Sequence, residues 1–254
     1  MVAAVLAGGS SGVLGVFVVG MQMPFLAICT AHSALAGAVL ASFLGFPSGY
    51  GAFVGACLGA LVLVVLLRRK EIDINAALGI LFSLTIGLAL LGIGLSPGAK
   101  SGMFSLLWGS ILFVSWPHVV TMLAICLLLA LFILLFGQQL KLMLFSRALA
   151  SLMIHEGLLM GVLILLISAI IALNIEIVGG LLVFSLLSNP AIAALRIARS
   201  LAATFMLSAF FGILSAVGGF AIAYVWNLPA GACIVLVSCS VVLATMLPRR
   251  RRAG

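Results

Sequence analysis

The first 67 residues of this chain contain no charged side chain, and Arg68 is the first. Further uncharged stretches cover residues 74–99, 101–140, 157–175, 177–195 and 200–248. Because a helix rises about 1.5 Å per residue, roughly 20 apolar residues cross the hydrocarbon core of a bilayer. Soluble domains carry about 25% charged residues, whereas this 254-residue chain carries 6%. The pattern excludes a soluble globular protein, a disordered protein and a nucleic-acid-binding domain, and it predicts a polytopic protein embedded in the lipid bilayer.

The uncharged stretches divide into nine predicted crossings, with breaks near Gln22–Pro24 and near Gly45–Gly51. The crossings are expected at residues 3–20, 25–44, 49–67, 75–95, 117–138, 157–175, 177–195, 201–224 and 229–247. The expected fold class is therefore all-α. We expect a single transmembrane domain over residues 1–254, built as a bundle of about eight or nine membrane-spanning helices.

Residues 101–116 are apolar but too short to cross the membrane, and Pro117 follows them with Trp108 and Trp116 nearby. Since aromatic rings favour the membrane interface, we expect a re-entrant or outer-surface segment here. Every basic residue except Lys100 then falls on one predicted side of the membrane. By the positive-inside rule that side is the cytoplasm, which places the N-terminus outside and the C-terminus inside.

Glycine recurs at four-residue spacing in the third predicted crossing, at Gly51, Gly55 and Gly59. Small residues at this spacing allow two helix backbones to approach closely on one face. The pattern indicates either tight packing within one bundle or an interface between subunits.

Motifs for energy conversion and for hydrolytic chemistry are absent from the sequence. No GxxxxGK[ST] phosphate-binding loop occurs, so any energy for transport has to come from a gradient or from another chain. No HExxH pattern or nucleophile–base pair occurs either, and the five cysteines do not show zinc-finger spacing. We therefore do not expect an enzyme.

His32 is the most conspicuous polar residue inside a predicted crossing, within the segment CTAHSALAG. Cys29 precedes it by three residues and so shares its helix face. Ionisable residues inside a membrane are costly and mark functional sites, and imidazole is both a metal ligand and a proton carrier. The alternative is a neutral histidine that is hydrogen-bonded to a neighbouring carbonyl group.

Five segments in order resemble the permease subunits of metal-ion ABC importers, which are the zinc, manganese and iron uptake systems. VGGLLVFSLLSNPAIAALRIARS (178–200) resembles their VGALLV…LL..PAATA signature, and NLPAGACIVL (227–236) is similar to their D-x-P-x-G-x-x-I-V-L segment. GVFVVGMQMPFLAICTAHSALAG (15–37) is similar to their first hairpin, which carries a D-x-x-x-H pair. INAALGILFS (74–83) resembles their D-x-x-x-G-I segment, and LLWGSILFVS (106–115) resembles their LFG-containing outer segment.

The resemblance implies a helical permease in a prokaryotic inner (cytoplasmic) membrane that works as a homodimer with two kinds of partner. A cytoplasmic ATP-binding subunit hydrolyses ATP, and an extracytoplasmic metal-binding protein delivers the ion. No cofactor bound by this chain is expected. The loop that contacts the ATP-binding subunit in the family corresponds to residues 142–157, with Arg147, His155 and Glu156 as its charged or titratable side chains.

The polar residues that line the family's ion path differ in this sequence, and His32 is the one that matches in kind. The family's aspartates correspond to Ile28, Asn75 and Asn227, and a histidine of some zinc members corresponds to Ser83. Asn75, Ser83 and Asn227 are therefore expected to line the path as neutral groups.

Cys29 beside His32 supplies a candidate soft ligand. Carboxylates help to offset the charge of a divalent ion in a low-dielectric path, so their loss weakens a site for a hard ion. His32 and Cys29 together favour zinc, ferrous iron or copper over manganese. Two further readings remain open: the same fold carrying a metal chelate or a small organic molecule, and a membrane scaffold without a transport role.

Overall fold

The computed structural model describes residues 1–68, 72–95, 116–145, 156–180 and 182–246. Every regular element in these ranges is an α-helix. The helices are α1 (Val2–Gly20), α2 (Leu26–Phe43), α3 (Ser48–Arg68), α4 (Ile74–Leu95), α5 (Trp116–Phe145), α6 (Glu156–Val178), α7 (Val183–Ile197), α8 (Leu201–Trp226) and α9 (Ala230–Met246). The predicted segment 101–116 lies outside the described residues except for Trp116, which begins α5.

The described helices fall on the nine predicted crossings and confirm the all-α class. Seven of the described helices are long and apolar enough to cross a membrane. The other two, α7 and α9, have 15 and 17 residues. At about 1.5 Å per residue they reach about 22 and 26 Å, which is short of the roughly 30 Å hydrocarbon core.

A turn at Gly179 separates α6 from α7. Gly179 has φ +97°, in the left-handed region that favours glycine. Its carbonyl oxygen accepts hydrogen bonds from the backbone N–H groups of Leu182 and Val183, each at 3.1 Å. The seventh helix therefore begins at Val183 rather than at residue 177, and α6 extends to Val178.

Helices α2 and α3 pack through glycine. A Cβ atom added at Gly37 would lie 2.6 Å from the Cα atom of Gly55, and one added at Gly51 would meet the Cβ of Ala41. A Cβ added at Gly59 would meet the side chain of Ser33. The glycine repeat of α3 is thus used for packing within one chain, the first of the two interpretations above.

Helices α1, α2 and α6 are mostly buried in the described bundle, whereas only a minority of the residues of α3, α4, α5 and α8 are buried. Large apolar side chains are exposed on the surface of the bundle, among them Leu91, Leu134 and Val225. An apolar exterior of this kind suits contact with lipid tails. Helix α2 contacts α3, α4 and α6, so a residue midway along α2 lies inside the bundle.

Candidate functional site

His32 lies in the first half of α2, and its side chain is half-buried between α2 and α4. Its neighbours along the helix, Ala31 and Ser33, are buried. The helix is otherwise built from small and apolar residues, which allows it to pack centrally. His32 is therefore an ionisable side chain that remains partly exposed, although most of its helix is buried.

The ring of His32 is oriented by its own helix. Its Nδ1 atom lies 3.0 Å from the carbonyl oxygen of Ile28, one turn earlier. Because a carbonyl oxygen carries no hydrogen, this bond requires the proton on Nδ1, and in the neutral ring the lone pair then resides on Nε2. Metal-binding histidines are commonly held this way, with one ring nitrogen donating and the other coordinating. The sequence allowed two interpretations of His32, a metal ligand or a histidine hydrogen-bonded to a carbonyl group. The two are thus compatible.

Cys29 shares α2 with His32, but its thiol is directed toward α4. The side chain is fully buried, and its Sγ atom donates to the carbonyl oxygen of Leu78 over 3.1 Å. The carbonyl oxygen of Cys29 accepts from Ser33 Oγ at 2.9 Å. In this conformation Cys29 joins α2 to the backbone of α4, and its role as a ligand stays a prediction.

Asn75 and Ser83 both lie on α4, the neighbour of α2. The backbone N–H of Asn75 donates to Asp73 Oδ2 over 3.0 Å, which places Asn75 in the first turn of the helix. Ser83 is exposed and donates to the carbonyl oxygen of Gly79 over 2.9 Å. The α2–α4 contact brings the residue next to Ser83, Phe82, onto the His32 ring, with ring centroids 4.9 Å apart.

Asn227 occupies the turn between α8 and α9. It ends α8 with a left-handed backbone (φ 52°, ψ 40°), and its side chain is exposed. Asparagine is one of the few residues other than glycine that adopts this conformation readily. The geometry gives Asn227 a structural task as a helix cap, and its place in a transport path stays a prediction.

The predicted coupling segment, residues 142–157, is described in part. Arg147 and His155 lie outside the described residues, and Glu156 begins α6 while its side chain lies outside them. Their contact with an ATP-binding subunit therefore stays a prediction.

The described residues contain no ready-made cluster of metal ligands. In the part of the chain that the structure describes, no group of three or more His, Cys, Asp and Glu side chains lies close enough to hold a metal. A structural zinc site has four such ligands. His32 therefore lies outside any such cluster among the described residues, and its role as a metal ligand stays a prediction.

Two features of the bundle were not predicted from the sequence. Phe82 of α4 contacts the His32 ring and in turn Phe25, the N-cap residue of α2, and no local pattern reveals their meeting. Asn174 is fully buried in α6 and donates to Ser11 Oγ of α1 over 2.8 Å. An amide inside the apolar run 157–175 was a signal for such an interhelical bond, since isolated polar groups are costly there.

Comparison with known proteins places the whole bundle in one group. The chain is 31% identical over 251 residues to the zinc transport system membrane protein TroC of Treponema pallidum, covering 94% of this chain and 84% of that protein. It is 29% identical over 244 residues to the manganese transport system membrane protein MntC of Halalkalibacterium halodurans, covering 94% and 82%.

A solved structure agrees with the sequence relatives. The PsaBC structure from Streptococcus pneumoniae in complex with Fab superimposes with a TM-score of 0.84 at 27% identity, covering 98% of this chain and 90% of the matched chain. The ABC 3 transport family matches residues 1–249, almost the full length. The chain is therefore a member of the ABC 3 transport family, a multi-pass membrane permease of the ABC importer type.

Proposed function

We propose that this protein is the membrane-spanning permease subunit of an importer for a divalent transition-metal ion. Zinc, iron and manganese are the candidate ions, and the similar proteins named above are membrane proteins of zinc and manganese transport systems. The observation that carries the proposal is the fixed imidazole of His32, whose Nε2 lone pair stays available inside an apolar bundle. Imidazole nitrogen suits zinc and other late transition metals.

The proposed assembly contains two copies of this chain, a cytoplasmic ATP-binding subunit and an extracytoplasmic metal-binding protein. The sequence contains no phosphate-binding loop of its own, which supports a separate subunit for ATP hydrolysis. We place the assembly in a prokaryotic inner membrane, with the N-terminus outside and the C-terminus in the cytoplasm, because the basic residues cluster on one predicted side.

Exchange of His32 tests the proposed site. Cells that carry the complete transporter with His32→Ala should take up radioactive zinc or manganese about tenfold more slowly than wild type, at equal amounts of protein in the membrane. Ser42→Ala is the matched control, since Ser42 is also half-buried on α2 and also bonds to the carbonyl oxygen one turn earlier, and we expect it to leave uptake near the wild-type rate. Wild-type uptake by the His32→Ala transporter would remove His32 from the mechanism.

Cys29 is the proposed second ligand, and it becomes available once its thiol leaves the Leu78 carbonyl oxygen. Cys29→Ser separates the two roles, because a hydroxyl still donates to that carbonyl but is a poor soft ligand. We expect Cys29→Ser to fold normally and to lose zinc uptake more than manganese uptake. Equal uptake of both ions by wild type and variant would assign Cys29 to packing alone.

Asn75, Ser83 and Asn227 are proposed as neutral polar groups along the path. Their amide and hydroxyl oxygens offer exchangeable contacts to a partly hydrated ion, although they do not offset its charge. Single alanine substitutions at these positions should each lower the rate of uptake less than His32→Ala does.

The segment 142–157 is the proposed contact with the ATP-binding subunit. Arg147→Glu should reduce co-purification of that subunit and the ATPase activity of the complex, while the permease remains folded in the membrane. His155 and Glu156 are the other two positions to exchange. Unchanged co-purification of all three variants would place the contact elsewhere.

Transport of a metal chelate on the same fold is the second candidate function. It is favoured by the neutral residues Asn75 and Asn227, which offer hydrogen bonds rather than charge to a cargo. Uptake of the free ion and of its labelled chelates in the same cells distinguishes the two. Competition by excess free zinc against chelate uptake would favour the free ion.

A further inference from the structure

Two phenylalanine rings form a continuous aromatic cluster with the imidazole of His32. The ring centroids of Phe82 and His32 are 4.9 Å apart with the planes tilted by 58°, and those of Phe25 and Phe82 are 5.3 Å apart at 59°. Both phenylalanines are partly buried and pack against the apolar core. Tilted pairs at these distances are the favoured geometry for aromatic rings.

The cluster and the backbone restrict the imidazole from different directions. The carbonyl oxygen of Ile28 holds Nδ1 at 3.0 Å and so sets the rotation of the ring. Phe82 approaches the same ring from α4, with the ring centroids 4.9 Å apart, and so limits the movement of the imidazole on that side. Of the two ring nitrogens, Nε2 is then the one left for a metal ion.

We propose that Phe82 is a positioning residue for metal binding: it holds the His32 ring so that Nε2 is the coordinating atom. This inference rests on the proposed function, because it assigns Phe82 a part in the same site. Phe25 in turn contacts Phe82. Phe82 itself need not touch the ion, and it acts through the orientation of His32.

The two groups that restrain the His32 ring lie on different helices, so a relative movement of these helices changes the restraint. Ile28 and His32 belong to α2, whereas Phe82 belongs to α4. A shift of α4 against α2 withdraws Phe82 and leaves the imidazole held by its hydrogen bond to Ile28 within α2, which allows the ring more rotation than both restraints together. Metal affinity at His32 therefore changes with the packing of these two helices.

Uptake kinetics of Phe82 variants in the complete transporter test this role. Phe82→Leu keeps apolar bulk but loses the ring, and we expect it to raise the KM for zinc by about 3- to 10-fold with Vmax within twofold of wild type. Phe82→Tyr keeps the ring and should restore the wild-type KM. Phe211→Leu is the matched control, since Phe211 is also half-buried and pairs with one ring, Phe210, at 5.8 Å.

Nitrogen NMR of histidine-labelled full-length protein provides a readout that does not need transport. In wild type we expect the His32 signal, assigned by its loss in His32→Gln, to show a single form protonated at Nδ1. In Phe82→Leu we expect a mixture of the two imidazole tautomers, with the proton on Nδ1 in one and on Nε2 in the other.

The outcomes separate the two proposals. A wild-type KM in Phe82→Leu, or a lowered Vmax with unchanged KM, would overturn the positioning role while leaving metal transport intact. If the wild-type transporter moves no metal ion, the proposed function fails and the NMR comparison decides alone. An unchanged single ring form in Phe82→Leu would then overturn the role of Phe82.

Discussion

Asn174 of α6 and Ser11 of α1 are joined by a fully buried hydrogen bond, in which Asn174 Nδ2 donates to Ser11 Oγ over 2.8 Å. Among the described residues, the other amide atom, Asn174 Oδ1, has no hydrogen-bond partner. The pair therefore holds two central helices together while one acceptor stays unsatisfied. We therefore expect the loss of Ser11 and the loss of Asn174 to lower the free energy of unfolding by different amounts.

Ser11→Ala should destabilise the protein more than Asn174→Leu does. Removal of the Ser11 hydroxyl leaves the whole amide of Asn174 buried without a partner, at a cost of about 1–3 kcal/mol. Removal of the amide instead leaves a serine that can donate to the carbonyl one turn earlier, as Ser10 does to Leu6 over 2.7 Å. Unfolding of purified protein in mixed detergent micelles measures both changes.

The double variant Ser11→Ala/Asn174→Leu provides the control for this pair. Because both polar groups are then gone, it should recover most of the stability that Ser11→Ala alone loses. Strictly additive losses would show that the bond does not couple α1 to α6.

Gly37→Ala should loosen the contact of α2 with α3. The added Cβ atom would lie 2.6 Å from Gly55 Cα and would meet the carbonyl oxygen of Gly51, and neither backbone can yield without moving a helix. We expect a loss of about 1–3 kcal/mol in unfolding free energy, the usual cost of overpacking. The same micelle unfolding measurement checks it.

Gly87→Ala is the matched control, since a Cβ atom there has no neighbour within 4 Å. Alanine is the better helix former by about 1 kcal/mol, so this variant should be neutral or slightly more stable. Equal losses at Gly37 and Gly87 would contradict the close approach of α2 and α3.

The positions of the helices were predictable because charge is excluded from hydrocarbon, and the charge-free stretches of the sequence follow that rule closely. The family resemblance was also predicted and is confirmed by the match over residues 1–249. The break before Val183 was not placed, because Gly179 changes the direction of the backbone without changing the hydropathy of an apolar run.

The candidate site was predictable as far as it depends on one helix. Three-residue spacing puts Cys29 and His32 on the same face of α2. The direction of the Cys29 thiol toward Leu78 and the approach of Phe82 to His32 depend on how α4 packs against α2. Contacts between helices far apart in sequence leave no local pattern, so these could not be predicted from spacing.

Asn227 should tolerate glycine and reject a β-branched residue. Its φ of 52° costs most L-residues about 1–2 kcal/mol, and glycine carries no such cost. Asn227→Gly should keep wild-type stability, whereas Asn227→Val should lose about that amount in the micelle unfolding assay. Metal uptake is the second measurement. If the Asn227 amide lines the transport path, Asn227→Gly should take up metal more slowly even though its fold is intact.

Cysteine labelling at the two ends of α8 should fix the orientation of the chain. Arg199 precedes α8, Leu228 follows it, and both side chains are exposed. With the basic residues on the cytoplasmic side, a membrane-impermeant maleimide should label Leu228→Cys in intact cells and Arg199→Cys after permeabilisation. The wild-type protein, which keeps its five native cysteines, gives the background signal. Labelling of Arg199→Cys in intact cells, with Leu228→Cys protected, would invert the proposed orientation without changing the bundle.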